Sequence, residues 1–229
     1  MRPMKNPLFG LIIALLTFGL VATAWADEAK DAASAAEVVA RAETTLGNFL
    51  SDPDTGAARD VLRRAKGAFI VAEVVKAGFI FGGSGGTGVL LAKDEATGEW
   101  SSPAFYSFGT ASIGLQAGVQ VSEILMLVMT EKAMDAMLSG EFEIGGNITA
   151  TAGPSGGGAS RDITADFVGF NRSKGVFGGL TLDGAVVQPR DTLNKAYYGE
   201  AVSPADILVR RNVPAKAPSL RQALAAATQ

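Results

Sequence analysis

The stretch AFIVAEVVKAGFIFGGSGGTGVLLAKD, residues 68–94, decides the fold. From Gly67 to Val75 the chain is almost wholly apolar, with Glu73 its lone charge, which predicts a strand covered on both faces. KAGFIFGG and GVLLAKD predict further strands, with a glycine-rich turn between them. Such a turn could cradle a phosphate. A Walker loop needs a Lys directly after its last Gly, but Gly88 is followed by Val89 and Leu90. A dinucleotide fingerprint needs the glycines to open a helix, and VLLAKD reads as a strand. The glycines are therefore expected to shape the chain, through positive φ in the turn and close backbone approach in a bent sheet.

On the N-terminal side, residues 29–50 predict an amphipathic helix. Ala35, Val39, Ala42, Leu46 and Phe49 recur at spacings of four and three. SDPDTG, residues 51–56, breaks it, and a short helix over 57–65 carries Arg59, Arg63 and Arg64. On the C-terminal side more strands follow, then Thr130 as the N-cap of a helix through Leu138 that Gly140 closes. FEIGGNITATA and DITADFVGF predict an antiparallel hairpin joined by GPSGGGAS. KGVFGGLTLDG predicts another strand. The tail predicts helices over 190–198, after Ser203-Pro204, and over 217–227. Helices, then strands, then helices imply one α+β domain. Its sheet should be largely antiparallel, twisted or barrel-like, and flanked by N- and C-terminal helices.

The 229 residues include no His and no Cys, which excludes histidine acid–base chemistry, thiolate nucleophiles and disulfides. Residues 1–26 read as a signal peptide: Arg2 and Lys5, an apolar run, then Ala24-Trp25-Ala26. Its removal would leave 18 basic against 23 acidic residues, a poor balance for binding nucleic acid. On this reading 27–56 is the amphipathic helix with its linker, and 57–229 is the main domain.

The glycine-rich stretch followed by EWSSPAFYSFGTASIGLQAGVQ, NRSKGVFGGLTLDG and NKAYYGE resembles the SYLF domain in content and order, over roughly residues 57–210. The resemblance implies phospholipid binding without catalysis and without a cofactor or metal. Eukaryotic members of that family bind phosphoinositide membranes, and some bind actin. An exported, bacterial-type chain is expected to meet no actin, so actin is not expected among its partners. The expected function is a non-catalytic phospholipid-binding protein of the bacterial cell envelope, periplasmic and peripheral to a membrane. The alternative is an envelope scaffold that contacts a protein through its sheet or N-terminal helix.

An anionic membrane surface calls for cations beside an apolar surface. Arg59, Arg63, Arg64 and Lys66 form the first candidate group, Arg59 and Arg63 sharing one helix face. Arg172 and Lys174, at a strand-to-strand turn, form the second. Tyr197 and Tyr198 suit either a membrane interface or packing of a helix on the sheet, the second being expected. Asp162, Asp166, Glu141 and Glu143 could be drawn into acid–base or calcium chemistry, but alternating carboxylates are ordinary on the solvent face of a hairpin.

Overall fold

The computed structural model describes residues 7–52, 56–78, 81–113, 118–153, 163–173, 176–177, 182 and 184–229, with the side chains of residues 7–27, 56, 77–78, 81–82, 112–113, 118–120 and 176–177 outside the description. The helices are α1 (Pro7–Ser51), α2 (Gly56–Arg64), α3 (Glu131–Ser139), α4 (Asp191–Tyr198) and α5 (Pro218–Thr228), with a π-helical turn at Asp206–Arg210. The strands are β1 (Gly67–Gly78), β2 (Phe81–Ala92), β3 (Ala104–Ile113), β4 (Gly118–Val128), β5 (Phe142–Glu143), β6 (Ala150–Ala152), β7 (Phe167–Ser173), β8 (Val176–Phe177) and β9 (Ala185–Pro189). They join in the order β5-β9-β3-β2-β1-β4-β7-β6, with β8 also paired to β7. The pairs are antiparallel except β6 with β7. The expected single α+β domain with flanking helices is what forms.

Successive side chains of a strand point to opposite faces, and here both faces are covered. Ala68, Ile70, Val89, Leu91, Phe105, Leu125 and Leu127 face outward, packing under α1, α2 and α5 through Leu46, Phe49, Leu62, Leu220 and Leu224. Phe69, Val71, Leu90, Tyr106, Met126 and Phe167 face inward, against Met134 and Met137 of α3 and Ile207 and Leu208 of the π-helical turn. This double burial explains the apolar residues 68–71 and Val74, while Glu73 and Val75 are exposed. Thr130 caps α3, its hydroxyl accepting from Ala133 N at 3.1 Å. Ser203 caps the next turn in the same way, accepting from Asp206 N at 3.2 Å, although that turn winds as π rather than α.

The antiparallel hairpin expected over 142–152 and 162–170 does not form. Phe142 and Glu143 pair with Val187 and Val186 of β9, at one edge of the sheet. Ala150 to Ala152 pair with Phe167 to Gly169 in parallel, at the other edge. Gly145 and Gly146, both at positive φ (143° and 57°), turn the chain out of β5 toward the far edge. Six residues separate Glu143 from Ala150, a reach of roughly 24 Å at most. The sheet must therefore curl until its edges approach. Phe142 stacks on Phe167 across that gap, with ring centroids 5.9 Å apart. Pairing across the closure outweighs the local hairpin. The strand expected over KGVFGGLTLDG, residues 174–184, lies mostly outside the described residues; its described part holds the two-residue β8, and β9 starts just after Gly184 at φ 77°.

FGGSGGTG lies within β2 rather than in a turn. In β1, residues 71–73 stand opposite only residues 87–88 of β2 and residues 72–73 opposite only Glu123 of β4, so β1 carries one extra residue, a β-bulge in a central strand. A Cβ on Gly86 would run into the Glu73 carbonyl oxygen, and one on Gly88 would lie 2.5 Å from that of Ile70. Close approach is thus the reason for these two glycines; the turn reading does not apply to them.

Candidate functional site

The expected cations are built into separate parts of the framework. Arg59 donates from Nη2 to Leu50 O at 2.7 Å, closing the C-terminal end of α1. Arg63 pairs with Asp60 at 3.1 Å, one turn back on α2, and both are half exposed. Arg64 is also exposed, beside Arg63 in the last turn of α2. Lys66 lies past the helix, at the foot of β1, where its ammonium meets Glu131 at 2.7 Å and Glu95. These hydrogen bonds, to Glu131 first and Glu95 second, raise its pKa above the usual lysine value. Arg172 belongs to a different cluster: it donates to Glu123 at 3.1 Å, and the other Glu123 oxygen accepts from Thr45 at 3.1 Å and Asn48 at 3.0 Å. That cluster fastens α1 to β4 and β7. Lys174 lies outside the described residues.

The carboxylates show an equally structural use. Asp166 is 5 % exposed and accepts from Thr130 Oγ1 (2.6 Å), Lys132 Nζ (2.8 Å), and Thr149 N (2.9 Å) and Oγ1 (3.1 Å). Burial pushes its carboxyl pKa up, but the hydrogen bonds together hold it well below the usual carboxylate range. It ties the N-cap of α3 to the start of β7. Glu141 and Glu143 are exposed, and Asp162 lies outside the described residues. Tyr198 is buried, its hydroxyl donating to Pro103 O at 2.8 Å, and Tyr197 lies edge-on to Phe105, so both pack α4 on the sheet.

One surface feature was not anticipated. The exposed large apolar residues include Val75, Val121 and Val186. The register places them in one row across five strands: Val121 opposite Val75, Val75 opposite Gly85, Gly85 opposite Gly109, and Gly109 opposite Val186. Directly opposed residues point to the same face, here the outer one. Glu73 and Glu123, on the same face one step below, hold α1 through Arg41 (2.5 Å) and through Thr45 and Asn48. The row therefore lies beyond the level at which α1 is tied down. Val75 and Val186 stand as walls, and Gly85 and Gly109 form a floor between them. At about 4.8 Å per strand the walls are roughly 14 Å apart, wide enough for a helix or a protruding loop. Glycine at two successive outward positions of β2, Gly83 and Gly85, was the sequence signal for this trough. Its walls come from strands far apart in the chain.

The Ysc84 family, described as Las17-binding protein actin regulator, matches residues 109–227. LAS seventeen-binding protein 3 of Saccharomyces cerevisiae (strain S288c) is 32 % identical over 162 residues, covering 68 % of this chain and 35 % of the yeast protein. Protein YSC84 of the same yeast is 34 % identical over 170 residues, or 70 % of this chain and 36 % of that protein. The SH3 domain-containing YSC84-like protein 1 of Bos taurus is 31 % identical over 161 residues, 68 % of this chain and 47 % of that one. The chain thus spans between a third and a half of the length of these relatives. The family's description as actin regulator, with a relative named for binding LAS seventeen, overturns the expectation that set actin aside.

Proposed function

We propose a non-catalytic, protein-binding function for this chain, which belongs to the Ysc84 (SYLF-domain) family: it engages actin or a filament-forming protein of actin type through the valine-walled trough. The observation that carries this reading is the row Val121, Val75, Gly85, Gly109, Val186. Large apolar side chains left in solvent, aligned beside a floor without side chains, form a contact surface rather than scattered exposure. The family's description as actin regulator supplies the class of partner. Co-sedimentation with actin filaments tests it. Wild-type chain should pellet with filaments, and Val75→Asp with Val121→Asp should stay in the supernatant while keeping the wild-type unfolding midpoint. Absence of wild-type pelleting, or equal pelleting of the double variant, would overturn the reading.

A second reading is favoured by one observation: Arg63 and Arg64 sit side by side, both exposed, in the last turn of α2. There they suit the phosphates of an anionic lipid surface, with the chain exported and residues 1–26 acting as its leader. Vesicles containing phosphatidylglycerol should pellet the chain at low salt and release it at high salt. Arg63→Ala with Arg64→Ala should weaken that binding several-fold, and salt-independent pelleting would contradict it.

A further inference from the structure

At the end of the sheet away from the trough, an open cleft of about 380 Å³ lies between the foot of β1, the turn after β2, the start of α3 and the π-helical turn. Met134 and Leu208 give it an apolar side, and Val209, 57 % exposed, stands at its rim. Its charged lining carries both signs. Lys66 is held by Glu131 at 2.7 Å and by Glu95, and the two carboxylate side chains are 70 % and 63 % exposed. Lys93, also lining the cleft, donates to Arg63 O at 2.7 Å. Burial, together with the Lys66 charge, lowers the Lys93 pKa against the opposing pull of Glu95. Asp94 is fixed by the amides of Ala96 (2.9 Å) and Thr97 (3.0 Å) and faces Arg211 at 3.7 Å.

This pairing restricts what can enter. A simple anion reaching Lys66 must displace Glu95 and Glu131 and leave both carboxylates without their cation. A simple cation reaching the glutamates leaves Lys66 unpaired beside Lys93. A ligand with a phosphate and an ammonium a few bonds apart replaces both partners together: phosphate on Lys66 and Lys93, ammonium on the two glutamates. Exposed ion pairs contribute little to stability, so exchanging them for equivalent ligand contacts costs little. The apolar side then accommodates the start of a hydrocarbon chain.

We propose that this cleft binds the phosphoethanolamine group, as the head of a lipid or as a free phosphoamine. The inference deepens the head-group reading above and rests on it, but it assigns a site apart from the α2 arginines and a zwitterionic rather than an anionic preference.

Isothermal titration with dihexanoyl phosphatidylethanolamine, dihexanoyl phosphatidylglycerol (both below their micellar concentrations) and O-phosphoethanolamine tests it. The ethanolamine lipid should bind at least tenfold more tightly than the glycerol lipid. Lys66→Met should weaken ethanolamine-lipid binding at least tenfold, and Glu131→Gln should remove most of the preference between the two lipids. Lys93→Met provides an independent variant should Lys66→Met fail to fold. Binding of O-phosphoethanolamine as tight as that of the lipid supports the shared chemistry and points to a soluble ligand; weaker binding supports it and points to the lipid. Equal or tighter binding of the glycerol lipid, or no binding of any of the three, overturns the inference. Pelleting on phosphatidylglycerol vesicles that depends on Arg63 and Arg64 would survive either failure, so the two readings fall separately.

Discussion

The two faces of β2 use glycine for opposite purposes. On the inner face Gly86 and Gly88 leave room for the backbone of bulged β1, whose Glu73 and Ile70 carbonyls occupy the space a side chain would take. On the outer face the nearest atoms to a Cβ would be Thr110 O at 3.2 Å for Gly83 and Phe108 O at 3.5 Å for Gly85, with the surface above Gly85 exposed. The same residue type in adjacent positions is a folding requirement on one face and an open floor on the other. Composition cannot separate these roles, but register does.

The largest effect expected from this comparison is at Gly86. Val there would collide with main-chain atoms that no rotamer change can move, and Gly86→Val should cost at least about 3 kcal/mol or prevent folding. Urea unfolding reads it directly. A loss under about 1 kcal/mol would break the inner half of the comparison.

Next is Asp166, on the buried side of the edge closure. Asp166→Asn removes a charge-assisted network and should cost about 2 kcal/mol near neutral pH. The sign of its pH dependence follows from the lowered pKa. The ionised form is favoured in the folded state, so its contribution is fully present above the unfolded carboxyl value of about 4 and fades as the pH falls below it. Wild type should lose its advantage over Asp166→Asn between about pH 4 and pH 2. An advantage unchanged across that range would contradict the assignment.

Glu123 is the outer-face counterpart, partly solvated and tied to α1 by Thr45 and Asn48. Glu123→Gln should cost only about 1 kcal/mol, and faster hydrogen exchange confined to the α1 segment near Thr45 should accompany it. Gly85→Val, the smallest, should change the unfolding free energy by less than about 1 kcal/mol, since it meets only ordinary van der Waals distances in a strand.

These contrasts also mark how much was legible in the sequence. The run at 67–75 announced a strand covered on both faces because its residues 68–71 and Val74 feed both cores in alternation. Thr130 and Ser203 announced helix starts because capping is local. The parallel pairing of β6 with β7 was illegible, since Phe142 takes its strand partner from Val187 and its ring partner from Phe167. Sequence proximity argued for a hairpin, and closure of a curled sheet decided otherwise. The cations were visible as residue types, but their partners were not. Lys66 meets carboxylates 29 and 65 residues away, and Arg172 shares Glu123 with a helix at the other end of the chain. The trough was legible only in its floor, through the alternation of Gly83 and Gly85. Its walls, Val75, Val121 and Val186, look like ordinary strand residues until the register aligns them.

The most direct test of the account is actin-filament co-sedimentation of Gly85→Val beside wild type. The substitution fills the trough floor without touching its walls, the α2 arginines or the inner core. The account predicts that wild type pellets with filaments and that Gly85→Val, folded with an unchanged midpoint, remains in the supernatant. Pelleting of Gly85→Val at the wild-type level would contradict the claim that the chain binds its partner through this face.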